Sequence, residues 1–147
     1  MDYRNVIKMF LLFVGILFLS NEVKAQESEL VFIGNEIGVT ELQFSKIIDY
    51  YKAKNAYWDN NRAVTLCLPG TKSPDAEKIY FAIYKKQIRD VQKFWLSIVF
   101  QGRAKSPMFF EQEQEMIEYV KRTPGAIGVV TSKLKNSIPN NLIIKVK

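Results

Sequence analysis

The chain has 147 residues, with 21 Lys or Arg against 15 Asp or Glu and a formal net charge of +6. Because it contains no histidine and one cysteine, Cys67, it lacks Ser-His and Cys-His catalytic pairs and the usual His-containing zinc sites, so we expect no catalysis, metal or cofactor. The basic residues are spread along the sequence instead of clustered, which is typical of a solvated surface and argues against a nucleic-acid partner.

Residues 1–25 have the pattern of a secretory signal peptide. A positively charged start is followed by an apolar run, Met9 to Leu19, and by small residues at the positions that signal peptidase reads before Gln26. The apolar run is much shorter than the roughly twenty residues that span a bilayer. We therefore predict cleavage before Gln26, export to the periplasm or the extracellular space, and membrane contact only through this segment before cleavage. Residues 26–147 have the length of a single domain.

The first elements predicted after the signal segment are a strand and a helix. Glu29 to Gly34 is a short apolar run that ends in a turn, which is typical of a strand. Thr40 and Gln43 have the spacing of a capping box, so a helix is predicted from Thr40 onward. The polar segment from Lys54 to Arg62 contains Trp58, which we interpret as a packing anchor, with stacking on a ligand as the less favoured alternative.

A strand, a tight turn and a helix form the centre of the predicted fold. Ala63 to Leu68 is an apolar run typical of a strand buried on both faces, and Cys67 within it is expected to be an inert, buried thiol. Pro69 and Gly70 predict a turn, and Ser73 before Pro74 predicts an N-cap with the helix starting at Pro74. Such a unit presents unpaired backbone N–H groups and the positive end of a helix dipole, so it could hold an anion.

The rest of the sequence alternates helical and strand-like patterns. Helices are predicted over Pro74 to Lys86, Ile88 to Phe100 with Gly102 as its C-cap, and Phe109 to Arg122; strands are predicted over Ala126 to Thr131 and Leu142 to Val146. Trp95 falls on the apolar face of the second of these helices. Four strands separated by helices predict an α/β domain with helices on both faces of the sheet.

Several blocks of this sequence resemble the periplasmic phosphate-binding-protein-like family, that is, the substrate-binding proteins of phosphate ABC transporters. The blocks are IIDYYKAKNAYWDNN, PGTKSPDAEKIYFAIY, and FWLSIVFQGRAKSP followed by EYVKRTPGAIGVV. The resemblance covers nearly all of the chain after residue 25 and is to small, single-lobe members. It implies a single three-layer α/β/α lobe of a type II periplasmic-binding-protein-like fold.

The resemblance also implies a ligand site. In two-lobe members of that family, hydroxyls and backbone N–H groups at a Gly/Ser/Thr turn hold phosphate together with a charged partner from elsewhere. On this sequence the implied ligand-binding residues are Gly70, Thr71, Lys72 and Ser73, with Arg103 as a candidate second charge. The implied function is an exported solute-binding domain for phosphate or a related oxyanion, acting beside an ABC transporter.

A second function remains open on the residues themselves. Asp75 and Glu77 place negative charge in the first turns of the helix that follows Gly70, where they already satisfy the helix dipole and would repel another anion. The alternative is therefore a non-catalytic accessory or protein-interaction module that binds an envelope protein partner and has lost its ligand.

Overall fold

The computed structural model describes residues 29–147. The predicted signal peptide, residues 1–25, and its cleavage before Gln26 lie outside the described residues and stay predictions. Within residues 29–147, no helix is both long and apolar enough to cross a membrane.

The described chain alternates strands and helices. The strands are β1 Leu30–Gly34, β2 Glu41–Leu42, β3 Thr65–Pro69, β4 Met108–Phe110, β5 Ala126–Thr131 and β6 Lys145–Val146; the helices are α1 Phe44–Tyr51, α2 Ala76–Tyr84, α3 Ile88–Phe100 and α4 Glu113–Arg122. Two short 3-10 helices, Ser132–Ser137 and Asn140–Leu142, lie between β5 and β6.

The main sheet has four strands in the order β1-β5-β3-β4. β1 runs antiparallel to β5, whereas β5, β3 and β4 are parallel to one another. Thr65 lies opposite Ala126 on one side of β3, and Cys67 lies opposite Met108 on the other. Because β3, β4 and β5 are parallel, the loops that follow them meet at one edge of the sheet. The strands β2 and β6 form a separate parallel pair.

Alternating side chains of the sheet pack into two separate cores. In β3, Leu66 and Leu68 point into the core that contains α1, α2 and α3, while Cys67 points into the core that contains α4. This alternation is what a strand buried on both faces requires, since successive side chains point to opposite faces. The predicted α/β fold with helices on both faces of the sheet is confirmed.

Hydroxyl and indole groups tie the three helices of the first core to β3. The Trp95 indole N–H donates to the Tyr84 hydroxyl at 2.9 Å, which donates to the Tyr51 carbonyl at 2.9 Å. The Tyr51 hydroxyl donates to the Cys67 carbonyl at 3.3 Å, and the Tyr80 hydroxyl donates to the Pro69 carbonyl at 2.8 Å. Each buried polar tip therefore has a partner, which offsets the cost of removing it from water.

The two elements with the strongest patterns match their predicted bounds. Ala126–Thr131 is a strand buried throughout, and Ile88–Phe100 is a helix that buries Val91, Trp95 and Ile98. Gly102 follows this helix with φ +66°, a left-handed conformation that glycine adopts without strain.

The prediction of a helix from Thr40 is wrong, because the chain first forms β2 and the helix starts at Phe44. The Thr40 carbonyl accepts a hydrogen bond from the Lys145 N–H, so this segment pairs with the end of the chain. Gln43 occupies the N-cap position and forms no side-chain cap.

The helix predicted from Pro74 also starts later, at Ala76, and the N-cap residue is Asp75 instead of Ser73. The backbone of Ser73 closes two successive turns, since its N–H donates to the Gly70 carbonyl at 3.0 Å and its carbonyl accepts from the Ala76 N–H at 3.1 Å. The predicted N-cap role of Ser73 is wrong.

Two further bounds are corrected towards the end of the chain. The helix predicted from Phe109 starts at Glu113, because Met108–Phe110 instead forms β4 at the edge of the sheet. The strand predicted over Leu142 to Val146 is reduced to Lys145–Val146, since Asn140–Leu142 forms a 3-10 helix.

Candidate functional site

The candidate site is the loop that follows β3, at the carboxyl edge of the parallel strands. Gly70 lies at its start, and its N–H donates to the Phe110 carbonyl of β4 at 2.8 Å. Thr71 and Lys72 are exposed at the top of the loop, while Ser73 is buried, with 8% of its surface exposed. The structure therefore brings four of the five predicted site residues together in one turn.

A carboxylate of the chain itself occupies this turn. Glu111, the first residue after β4, accepts a hydrogen bond from the Lys72 N–H at 3.0 Å through its Oε2 atom. A Cβ atom built on Gly70 would overlap the same carboxylate, so Glu111 lies in this place because Gly70 has no side chain. The backbone donor expected to hold an external oxyanion is thus already paired with an internal one.

Two more acidic side chains fasten the same edge of the sheet. The Glu113 carboxylate accepts from the Thr131 N–H at 2.6 Å and from the Thr131 hydroxyl at 3.0 Å, joining the start of α4 to the end of β5. Asp75 forms an ion pair with Lys133 at 3.0 Å. This edge of the sheet therefore carries several carboxylates, of which only Glu111 bonds to the Gly70 turn.

The repulsion from Glu111 is large enough to matter. Two unit charges 4 Å apart interact by about 1 kcal/mol in bulk water and by about 4 kcal/mol at an effective dielectric constant of about 20. A hydrogen bond to a charged group contributes about 1.5 to 3 kcal/mol. An oxyanion near the Lys72 N–H would either displace Glu111 or be repelled by it. That repulsion is of the same size as the free energy gained from a hydrogen bond to the Lys72 N–H. The Lys72 ammonium, which forms no ion pair within residues 29–147, would offset part of that repulsion.

Arg103, the fifth predicted site residue, lies away from this turn. Its neighbours Gly102 and Ala104 line a cleft of about 650 Å³ together with Thr65 and Leu66, at the amino end of β3. Because a strand rises about 3.3 Å per residue, the two ends of this five-residue strand are about 13 Å apart. The structure does not bring Arg103 to the Gly70 turn.

Trp58 and Cys67 have packing roles. Trp58 is 2% exposed, donates its indole N–H to the Gly125 carbonyl at 2.8 Å, and packs its ring 4.2 Å from that of Tyr50. The prediction of a packing anchor is confirmed. Cys67 is fully buried, and burial raises the pKa of its thiol to about 12. The thiol therefore stays protonated at neutral pH and is a poor nucleophile.

The role of Glu111 was not predicted from the sequence. The residue falls within the helix predicted over Phe109 to Arg122, whereas in the structure it follows a short edge strand and accepts a hydrogen bond from a backbone group 39 positions away. The sequence around Glu111 does not predict such a long-range contact. The one indication in the sequence was Gly70, because a residue without a Cβ leaves space for another group. Among residues 29–147, no group of three or more Cys, Asp and Glu side chains is placed to hold a metal ion.

Comparison with solved structures reveals similar folds. Superposition on PstS from Borrelia burgdorferi gives a TM-score of 0.62 with 20% sequence identity, over 82% of this chain and 47% of that one. An ABC-type phosphate transport receptor from Vibrio cholerae gives a TM-score of 0.61 with 15% identity, over 86% of this chain and 52% of that one. The fold is similar to that of about half of each phosphate-transport receptor.

The similarity to the two receptors is one of fold over part of their length. At these identities it concerns the fold alone, and the chain spans about half the length of the two receptors. No protein-family model matches the sequence. No curated protein matches it either.

Proposed function

We propose that this chain is a non-catalytic accessory domain, exported after removal of residues 1–25, that keeps a phosphate-receptor fold without a receptor's affinity for phosphate. The observation that carries the proposal is the hydrogen bond from the Lys72 N–H to Glu111. In this proposal Glu111 takes the place of the ligand and fixes the turn between β3 and α2. The domain then acts by contact with a partner in the cell envelope.

Because Glu111 belongs to the same chain as the turn, its carboxylate competes well against a dissolved anion for the Lys72 N–H. A group held by the same chain has an effective concentration in the millimolar range or above, so a dissolved anion at lower concentration is outcompeted. Gly70 supports the same proposal, since it provides the space that the carboxylate fills.

A second candidate function is the binding of phosphate or a related oxyanion beside an ABC transporter. It is favoured by the exposure of Thr71 and Lys72 at the carboxyl edge of parallel strands, where α/β folds commonly bind ligands. The similarity in fold to the ABC-type phosphate transport receptor from Vibrio cholerae supports it as well. In this candidate Gly70, Thr71, Lys72 and Ser73 contact the anion after Glu111 moves aside. Arg103 would act only through a rearrangement that carries it to the turn.

Calorimetric titration separates the two candidates. Phosphate, sulfate and a neutral solute are titrated into the wild-type chain and the Lys72→Glu, Glu111→Ala and Glu115→Ala variants, at low and at physiological salt. The accessory domain predicts no heat from the wild type at millimolar phosphate. Oxyanion binding predicts saturable heat that weakens with salt and disappears in Lys72→Glu.

The Glu111→Ala variant tests the replacement directly. If Glu111 takes the place of a ligand, its removal leaves the Lys72 N–H unpaired and phosphate gains measurable affinity. Glu115→Ala, which removes an exposed acid of α4 with no hydrogen bond to the turn, serves as the matched control for charge. Tight phosphate binding by the wild type would refute the accessory-domain proposal.

A further inference from the structure

The exposed side of α3 carries a stripe of two cations and two large apolar side chains. Arg89, Lys93, Leu96 and Phe100 recur at i, i+4, i+7 and i+11, so they lie on one face of this helix. Leu96 is 59% exposed and Phe100 is 83% exposed. The opposite side of α3 is buried in the core.

The stripe continues onto α2. Phe81, which is 61% exposed, lines the same cleft as Lys86 and Arg89, and the Lys85 ammonium lies 5.8 Å from the centre of its ring. Among the described residues that line this cleft, Glu77 is the only acid. We call the set the α2–α3 face, which comprises Phe81, Lys85, Lys86, Arg89, Lys93, Leu96 and Phe100.

The cations of this face form no ion pairs within the described chain. Lys86, Arg89 and Lys93 form no ion pair with any residue between 29 and 147. A surface that holds unneutralised positive charge beside protruding aromatic and aliphatic side chains is complementary to a layer of phosphate groups with hydrocarbon beneath it.

We propose that the α2–α3 face docks on an anionic lipid surface. Lys86, Arg89 and Lys93 contact lipid phosphates, and Phe81, Leu96 and Phe100 enter the boundary between headgroups and acyl chains. Neither kind of contact is strong alone, because stable peripheral binding requires apolar insertion together with electrostatic attraction. This inference is independent of the proposed function, since it uses none of the residues of the Gly70 turn.

The arrangement of the face favours lipid over protein. Protein interfaces are depleted of lysine, whereas Lys93 is continuous with Leu96 and Phe100 on one helix face, and Lys85 and Lys86 lie beside it. A second copy of the chain is disfavoured because a symmetric contact would bring these cations close to their own copies. The sequence-based expectation of no membrane contact after cleavage is revised by this proposal, because the fold leaves Leu96 and Phe100 exposed beside the cations of α3.

Vesicle binding of the full chain tests the proposal. Sedimentation is measured with vesicles of pure phosphatidylcholine and with an equimolar mixture of phosphatidylcholine and phosphatidylglycerol. The double variant Leu96→Glu/Phe100→Glu should lose at least about tenfold in affinity for the anionic vesicles, since it removes both inserted side chains and adds two repelled charges. Tyr57→Glu, which changes another exposed aromatic residue, should bind as the wild type does. Circular dichroism checks that all variants fold.

A site-specific probe separates this face from residues 1–28, which are identical in every variant. A polarity-sensitive fluorophore is attached to Gln92→Cys on α3 or, as a control, to Glu118→Cys on α4 at the other face of the sheet; Cys67 is buried and stays unlabelled. A blue shift at position 92 alone, and only with anionic vesicles, is expected. Equal shifts at both positions would overturn the proposal, and so would wild-type affinity of the Leu96→Glu/Phe100→Glu variant for anionic vesicles. A dimer of the wild type that forms without lipid and that the double variant does not form would overturn it as well.

Discussion

The contact between Gly70 and Glu111 shows how one missing methyl group determines the chemistry of a turn. Gly70 leaves the space, Glu111 fills it, and the Lys72 N–H is paired as a result. We expect Glu111→Ala to lower the free energy of unfolding by about 1 kcal/mol, because a charge-assisted hydrogen bond is lost at an exposed position. Denaturant titration of the variant and of the wild type measures the difference.

The Gly70→Ala variant provides the matched test of the same contact. Its new Cβ overlaps the Glu111 carboxylate, which lies at the end of a flexible, exposed side chain and should move away. We therefore expect Gly70→Ala to be destabilising by about 1 kcal/mol, as Glu111→Ala is, because the same hydrogen bond is lost. The two changes should be non-additive, because the second removes a contact that the first has already broken. Additive losses in the double variant would contradict a direct contact between these residues.

Single residues were predictable from the sequence when their own environment determined their role. Cys67 lies in an apolar strand and Trp58 in a polar loop, and the burial of each was predicted and is confirmed. Glu111 was not predictable in this way, because its partner is 39 positions away and its own segment reads as the start of a helix. A hydrogen bond that depends on the pairing of distant strands cannot be predicted from the residues adjacent to it in the sequence.

Helices and strands were predicted more accurately where their hydrophobic pattern extends over more residues. The apolar stripe of α3 recurs over more than three turns, and its predicted bounds are those of the structure. The starts of α1 and α2 were wrong because the prediction relied on single capping residues, Thr40 and Ser73. Pairing of the Thr40 segment with β6 and the tight turns at Ser73 use their backbone groups instead. Tertiary hydrogen bonds thus decided both helix starts.

The packing of α3 against α2 leads to a graded prediction. Trp95 is 3% exposed and donates to the Tyr84 hydroxyl, so its ring fills the core and its indole N–H joins two helices. Trp95→Ala should cost about 3 to 5 kcal/mol of unfolding free energy, whereas Trp95→Phe, which keeps a ring and loses the donor, should cost about 1 kcal/mol. Leu96→Ala at the adjacent exposed position should stay within about 0.5 kcal/mol. Equal effects of Trp95→Ala and Leu96→Ala in urea titrations would rule out this packing.

At the scale of the whole molecule, the layers could be predicted and the arrangement within them could not. Alternation of strands and helices was enough to predict helices on both sheet faces. The strand order and the edge strand β4 depend on pairing between distant segments, and β4 has only three residues from which to read a pattern. The α2–α3 face was not predicted because the exposure of Leu96 and Phe100 beside Arg89 and Lys93 depends on which side of α3 packs into the core.

The buried titratable groups of the core predict that the fold loses stability in alkaline solution. Burial raises the pKa of Cys67 from 9.0 to about 12, and it also raises the pKa values of Tyr51, Tyr80 and Tyr84 above their usual range. Above about pH 9 the unfolded chain releases the Cys67 proton while the folded chain keeps it. The unfolded state then binds fewer protons, so the free energy of unfolding falls as the pH rises.

The Cys67→Ala variant isolates the contribution of the thiol. Its contribution is fully present below pH 9 and is lost as the pH approaches about 12, a difference of about 4 kcal/mol for three pKa units. The tyrosines contribute equally to both proteins, so between about pH 9 and 10 the unfolding free energy of the wild type should fall more steeply with pH than that of Cys67→Ala. Both slopes are measured by urea titration at closely spaced pH values. Parallel slopes would mean that the Cys67 thiol ionises as readily in the folded chain as in the unfolded one, which its position between β3 and α4 does not allow.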